Sequence, residues 1–214
     1  SNDGNKPVIN ANDQNYTFDA ILYATGRKPN TANIGLENTD ITTNERGAIV
    51  VNDTCESSVP GVYAVGDVNG GPQFTYISLD DFRIVFGALT GNGQYTLKDR
   101  KNIPYTTFLT PPLARVGLTE EDAINKGYTV KTKEMLVATM PRAHVNDYLK
   151  GAFKIVVDAE NNLILGATLY SQGAEELINL IKMAMDNNIP YTYFKNQIFT
   201  HPTMAENLND LCNF

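Results

Sequence analysis

A histidine and a glutamate near the end of the sequence are the side chains best suited to acid and base chemistry. The segment 201–206, HPTMAE, contains an imidazole, a proline and a carboxylate. Proline fixes φ near the helical value and lacks only an N–H that a first helical turn leaves unpaired, so the pattern predicts a helix that begins at Pro202. Glu206 then lies about one turn along. A carboxylate there can keep one nitrogen of His201 protonated and leave the other able to take a proton.

The same residues fit a second interpretation that involves no catalysis. His201 would stand at the start of a helix, and Glu206 in the first turn would complement the positive end of the helix dipole. Local chemistry leaves both interpretations open, and the preceding elements help to distinguish them.

The composition excludes several classes of protein. The chain has 17 basic and 24 acidic residues, a formal net charge of −7, and no concentrated basic stripe, so we expect no nucleic-acid partner. It has no run of about 18 apolar residues and no signal-like N-terminus, so we expect no membrane partner and a cytoplasmic location. Cys55 and Cys212 are far apart and lack CxxC spacing, which indicates neither a disulfide framework nor a metal site.

The first part of the chain has the pattern of a hairpin that leads into a glycine. Residues 7–10 and 16–24 are apolar runs separated by a polar turn. The second run is almost continuously apolar, which is typical of a strand covered on both faces. It ends at Thr25 and Gly26, where glycine permits an unusual φ or a close approach to a ligand.

The middle of the chain repeats this strand-into-glycine pattern. Residues 47–52 and 61–67 are predicted strands, and the second ends in Gly66 and Asp67. By itself such a Gly-Asp pair is usually a turn. A helix capped by Ser78 is predicted next, with a stop at 91–93. Its first turn contains Asp80 and Asp81, and its apolar positions are Leu79, Phe82, Val85, Phe86 and Leu89.

The last part of the chain has the clearest alternation of strands and helices. A strand is predicted at 105–109 and a helix from its cap Thr119 to Lys126. The other predictions are strands around 128–138, 153–158 and 163–170, of which the last two form a hairpin, and a helix over 175–187 with a wide apolar stripe.

Three ordered motifs, at 18–31, 61–67 and 201–206, resemble the pyridine nucleotide-disulfide oxidoreductases, which are FAD-dependent dimers. Within that family, segments 74–81, 140–143 and 207–211 look most like the hypothiocyanite reductase, or reactive-chlorine resistance, branch. Mercuric reductase has tyrosine at the histidine position and a vicinal cysteine pair near its C-terminus, whereas this chain has a single cysteine there.

The resemblance implies an α+β fold in which an interface, or dimerisation, domain with an antiparallel sheet and helices follows the returning part of an FAD-binding α/β domain. It assigns residues 1–30 to the end of an NAD(P)-binding domain, 31–102 to the C-terminal part of the FAD domain, and 103–214 to the interface domain. The implied cofactors are FAD and NAD(P)H. The implied cofactor-binding residues are Ala24, Thr25, Gly26, Arg27, Gly66, Asp67, Phe74 and Thr75.

The resemblance also gives the histidine a role. In the family, hydride passes from NAD(P)H to FAD and then to a disulfide, and the resulting dithiol reduces the substrate. His201 would act as acid and base across a homodimer, Glu206 would orient it, and the substrate would be a small-molecule oxidant such as hypothiocyanite. A dihydrolipoamide dehydrogenase-like or glutathione reductase-like enzyme is the alternative.

The chain lacks the Gly-x-Gly-x-x-Gly turn and the paired redox cysteines of this family. We therefore expect it to be the C-terminal part of a longer enzyme and to be inactive by itself. The alternatives are a naturally short protein and a non-catalytic dimerisation module.

Overall fold

The computed structural model describes residues 2–3 and 6–214, and the chain forms two compact units, Ser1–Asn92 and Gly93–Phe214. The division into parts at 1–30, 31–102 and 103–214 stays a prediction.

The first unit begins with a small antiparallel sheet in the order β1-β2-β3. Its strands are β1 (Asn2–Asp3), β2 (Lys6–Ala11) and β3 (Gln14–Thr17). β2 and β3 form the predicted hairpin, with Ile9 opposite Tyr16. The predicted buried strand is wrong beyond Thr17, because residues 18–24 are coil and Leu22 is 89% exposed. A strand covered on both faces needs neighbours in a sheet, and no strand among the described residues pairs with this segment.

The two strands predicted in the middle of the chain are also wrong. Residues 47–52 and 61–67 contribute only single bridges, Thr43 to Ile49 and Glu56 to Tyr63. Each run is short and exposes valines that a sheet would cover. The rest of this region is irregular, with short 3-10 helices at Leu36–Asn38 and Gly66–Asn69.

Helix α1 (Thr75–Thr90) begins before Ser78, so the predicted N-cap is wrong, whereas the predicted stop is correct because Gly91 ends the helix in a left-handed conformation. Its buried face consists of Ile77, Asp81 and Ile84. The apolar positions that recur at helical spacing are therefore mostly on the outer face, where Leu79, Phe82, Phe86 and Leu89 are exposed. The hydrogen bonds of the buried Asp81 carboxylate account for this orientation.

The second unit is built on a five-stranded antiparallel sheet in the order β4-β5-β8-β7-β6. The strands are β4 (Tyr105–Thr107), β5 (Leu113–Gly117), β6 (Val130–Leu136), β7 (Ala152–Asp158) and β8 (Ile164–Tyr170). The helices are α2 (Glu120–Asn125), α3 (Pro141–Val145), α4 (Ala174–Asp186), α5 (Tyr191–Asn196) and α6 (Leu208–Leu211). The predicted α+β fold with an antiparallel sheet is confirmed.

The core of this unit lies between the sheet and the helices. Phe153 of β7 is paired with Leu169 of β8, and both are fully buried. Helix α4 packs with Ile178 and Ile181 in the same cluster, as its apolar stripe predicts. Leu208 and Leu211 of α6 complete the cluster from the end of the chain. The apolar core therefore fixes α6, the helix that follows the candidate acid–base pair.

A pH-dependent stability is expected from Cys212, which is fully buried in this core. Burial raises the pKa of its thiol to about 12 from a reference of 9.0, and the charge of Lys133 offsets part of the increase. Because the folded pKa is raised, the stabilisation is complete below about pH 9 and is lost towards pH 12. As the pH rises from 8 to 10.5, we expect the titration of this thiol to lower the free energy of unfolding by about 2 kcal/mol.

Urea unfolding at pH 8 and at pH 10.5, followed for the second unit within the chain, measures this change in the free energy of unfolding. Cys212→Ala is the matched control, since it removes the thiol and keeps every other group that titrates in this range. If Cys212→Ala lost the same amount of stability between the two pH values, the pH dependence would not come from this thiol.

Candidate functional site

The second unit brings together the two side chains predicted to act as an acid–base pair. Nδ1 of His201 lies 3.1 Å from Oε1 and 3.0 Å from Oε2 of Glu206. An ionised carboxylate only accepts hydrogen bonds, so Nδ1 must carry the proton. In the neutral ring the lone pair is then on Nε2. The His201 side chain is 72% exposed and that of Glu206 only 15%. The arrangement is thus a shielded carboxylate that orients an accessible imidazole.

The loop reaches this geometry without the predicted helix at Pro202. The His201–Pro202 peptide is cis, and the first helical turn is a 3-10 helix at Ala205–Asn207. The Thr203 hydroxyl donates to the Thr200 carbonyl at 2.8 Å and accepts the Glu206 amide at 3.2 Å. These two bonds close a turn before the helix begins, and neither of them can be inferred from the proline.

In the first unit, the Gly66-Asp67 turn is held by a carboxylate. Asp81 of α1 is fully buried, and its Oδ2 accepts the Gly66 amide at 2.8 Å and the Asn69 side-chain amide at 2.9 Å. Gly66 has φ of +74°, and a Cβ there would lie 2.7 Å from the Ser78 hydroxyl oxygen. The turn therefore requires glycine for both its conformation and its packing.

The turn presents Asp67 at the surface of the unit. Its side chain is 46% exposed, and Oδ2 lies 3.5 Å from a guanidinium nitrogen of Arg27, which is 69% exposed. Thus two predicted cofactor-binding residues, distant in sequence, come together. A groove beside Arg27 is lined by Thr25, Gly26, Lys28 and Arg46, among others. Its surface is therefore basic and contains glycine.

The other predicted cofactor-binding residues occupy the coil and the start of α1. Ala24, like Thr25 and Gly26, is exposed coil. Phe74 is extended and immediately precedes the helix, and Thr75 is its first residue. The first amides of an α-helix have no partner within it, so this end favours an anion.

The chemistry of these side chains and of the helix start is suited to binding a flavin nucleotide. The exposed Asp67 carboxylate can accept hydrogen bonds from polyol hydroxyls, and the groove cations suit phosphate. The start of α1 can stabilise negative charge.

The structural role of Asp81 in this site was not predicted, because Asp80 and Asp81 both fit the first turn of the helix expected after Ser78. The available signal was helical spacing, since Asp81 lies on one face with Ile77 and Ile84.

Among the described residues, no three His, Cys, Asp or Glu side chains form a group that could hold a metal. No helix in the described part of the chain has the length and apolar content to cross a membrane.

Comparison with known proteins settles the family. A model of the pyridine nucleotide-disulphide oxidoreductase dimerisation domain matches residues 103–212, and a pyridine nucleotide-disulphide oxidoreductase model matches residues 1–81. The chain belongs to the pyridine nucleotide-disulphide oxidoreductases. Members of this family are FAD-dependent and use NAD(P)H, and the predicted resemblance is confirmed.

The relatives include the probable pyridine nucleotide-disulfide oxidoreductase RclA of Escherichia coli, 46% identical over 97% of this chain and 47% of the relative. A Staphylococcus aureus mercuric reductase is 35% identical over 94% of this chain and 36% of the relative. The solved HOCl-induced flavoprotein disulfide reductase RclA from E. coli superposes with a TM-score of 0.93 at 46% identity, covering 97% of this chain and 48% of that one. The chain spans less than half of these curated relatives.

Proposed function

We propose that this chain is part of an FAD-dependent NAD(P)H:disulfide-type oxidoreductase that reduces a small oxidised acceptor, with His201 as the acid and base of the thiol half-reaction. The observation that carries the proposal is the hydrogen bond of Glu206 to His201 Nδ1 at 3.0 Å, on an imidazole that is 72% exposed. An oriented and accessible imidazole is the group that proton exchange with a thiol requires.

The residues divide the chemistry between them. Nε2 of His201 takes a proton from a thiol, and the imidazolium then stabilises the neighbouring thiolate. Glu206 accepts the Nδ1–H of the ring both before and after Nε2 takes the proton. Asp67, Arg27 and the start of α1 would hold FAD, with Ala24, Thr25, Gly26, Gly66, Phe74 and Thr75 around it. When bound, the flavin supplies two-electron redox chemistry.

The thiols must come from outside this chain's core. Cys55 and Cys212 are both fully buried, so neither fits a dithiol that meets a substrate. Because His201 is so exposed, we propose that it serves a disulfide on the partner subunit of a homodimer, with residues 103–214 as the interface domain. Dimerisation would then be part of catalysis.

We propose hypothiocyanite as the acceptor in a cytoplasmic enzyme of oxidative-stress defence, supported by the similarity to RclA, whose solved form is described as HOCl-induced. Its reduction consumes two electrons and two protons and yields thiocyanate and water. The His201–Glu206 pair can relay those protons. By itself, the 214-residue chain is proposed to act as a non-catalytic dimerisation module, since its sequence contains neither the Gly-x-Gly-x-x-Gly turn nor a pair of cysteines at redox spacing.

Steady-state oxidation of NADH and of NADPH by the full-length protein tests the acceptor. We expect hypothiocyanite to be preferred over glutathione disulfide and over lipoamide by at least about 10-fold in kcat/KM, because an enzyme discriminates between acceptors by the contacts that differ in their transition states. Reactions without acceptor are the control.

A preference for glutathione disulfide or lipoamide would contradict the proposed substrate and favour the alternative enzymes. Light scattering at micromolar concentration measures the dimer in the same preparation. A purely monomeric protein that is nonetheless fully active would overturn the assignment of His201 to the partner's disulfide.

A further inference from the structure

We propose that Asn209 is a positioning residue for the His201–Glu206 pair, because its side-chain amide ties the end of α5 to α6 and so fixes the loop between them. The catalytic part of this inference rests on the proposed function, whereas the positioning part does not.

The contacts of Asn209 are unusual for an asparagine side chain. Its Nδ2 lies 2.6 Å from the carbonyl oxygen of Phe194, 3.0 Å from that of Gln197 and 3.3 Å from that of Lys195. The last carbonyls of a helix have no partner within it. The amide therefore satisfies the end of α5 and the beginning of the loop, from a residue that lies beyond the loop in sequence.

The far end of the loop is fixed by a second amide. Asn207 is 2% exposed, and its Nδ2 donates to the carbonyls of Thr203 at 3.2 Å and Met204 at 3.0 Å. Beyond it, Lys133 of β6 donates to the carbonyls of Asp210 at 2.7 Å and Asn213 at 2.6 Å, so α6 is anchored to the sheet. The loop is thus held between two amides, one immediately before the anchored α6 and one on it.

This fixation matters because packing cannot orient the imidazole. The His201 side chain is 72% exposed, so its direction depends on the loop backbone and on Glu206. Glu206 lies one turn before Asn209. A shift of α5 relative to α6 would therefore change the distance and angle between Nδ1 and the carboxylate. Misplacement by about 1 Å can cost an enzyme about 100-fold in rate.

Histidine NMR tests the positioning in the 214-residue chain. The chain has 2 histidines, so ¹⁵N-histidine labelling gives two imidazoles that a His144→Ala spectrum assigns. The spectra are recorded in buffer of about pH 9.5, far above the ordinary imidazole pKa of about 6.5. We expect His201 to be mainly the Nδ1–H tautomer in the unaltered chain and a mixture of tautomers in Asn209→Asp, which has nearly the same shape and presents oxygen to the three carbonyls.

Asn187→Ala is the matched control. Its amide likewise donates to a helix carbonyl, that of Met183 at 2.8 Å, but at the end of α4. Asn209→Ser keeps one donor and is expected to lie between Asn209→Asp and the unaltered chain. It also provides the comparison if Asn209→Asp unfolds. An unchanged His201 tautomer in a folded Asn209 variant, or the same change in Asn187→Ala, would overturn the proposal.

Kinetics of the full-length protein separate this inference from the proposed function. We expect the folded Asn209 variants to slow the thiol half-reaction by about 10-fold, with flavin reduction unchanged. A changed tautomer without slower thiol chemistry would support the positioning and contradict the catalytic role of His201. An unchanged tautomer together with slow thiol chemistry would contradict the positioning and leave the role of His201 intact.

Discussion

Replacing His201 with alanine in the full-length protein is expected to slow the thiol half-reaction by about 10² to 10⁴-fold, the usual contribution of a positioned acid or base. The reason is the loss of Nε2, the accessible nitrogen of a ring held at Nδ1 by Glu206. Reduction of the flavin by NAD(P)H needs no proton from this ring and should be unchanged. Stopped-flow absorbance, with the two half-reactions measured separately, provides the test.

The chain offers a close control for this substitution. His144, the other of its 2 histidines, is exposed, and its Nε2 lies 2.8 Å from the Ala138 carbonyl. His144→Ala should leave both half-reactions unchanged. Glu206→Gln should give a smaller loss than His201→Ala, because the base remains while its tautomer is less firmly held. Equal losses in both half-reactions on replacing His201 would instead assign it a structural role.

The sequence predicted the chemistry of this pair better than its local structure. The order of residue types in 201–206 predicted an imidazole beside a carboxylate, and the contact at 3.0 Å agrees. The helix expected from Pro202 does not form. Two hydrogen bonds of Thr203 close a turn first, and proline statistics contain no information about them.

Strand predictions succeeded where residues find partners within the same unit. The hairpin of β7 and β8 forms with Phe153 opposite Leu169, because both runs are apolar and adjacent in sequence. The run 18–24 is equally apolar and remains coil with Leu22 exposed. The spacing of apolar residues indicates that a segment is suited to burial, but it does not show whether another segment packs against it.

The same limit applies to the buried face of α1. Leu79, Phe82 and Phe86 recur at helical spacing, yet the buried face carries Asp81. A carboxylate inside a unit is acceptable only with hydrogen-bond donors, and those donors come from a turn elsewhere in the sequence. Pattern analysis of a single helix therefore cannot identify its inward face when a polar contact decides it.

Replacing Asp81 with alanine is expected to lower the stability of the Gly66–Asn69 turn by about 3 kcal/mol, because it leaves the Gly66 amide and the Asn69 side-chain amide without this acceptor. Amide hydrogen exchange at Gly66 measures this locally. A loss of that size corresponds to about 100-fold faster exchange. Asp81→Asn should give a smaller loss, since the amide keeps one acceptor oxygen.

The adjacent carboxylate of Asp80 gives the matched control, because Asp80→Ala removes the same charge from the same helix but not from its buried face. In the full-length protein, Asp81→Ala should also weaken FAD binding, since the turn that presents Asp67 is no longer held. Equal effects of the two substitutions on exchange at Gly66 would contradict the assignment of the turn's stability to the buried hydrogen bonds of Asp81. Faster exchange with unchanged FAD affinity would leave the turn as described and remove Asp67 from the cofactor site.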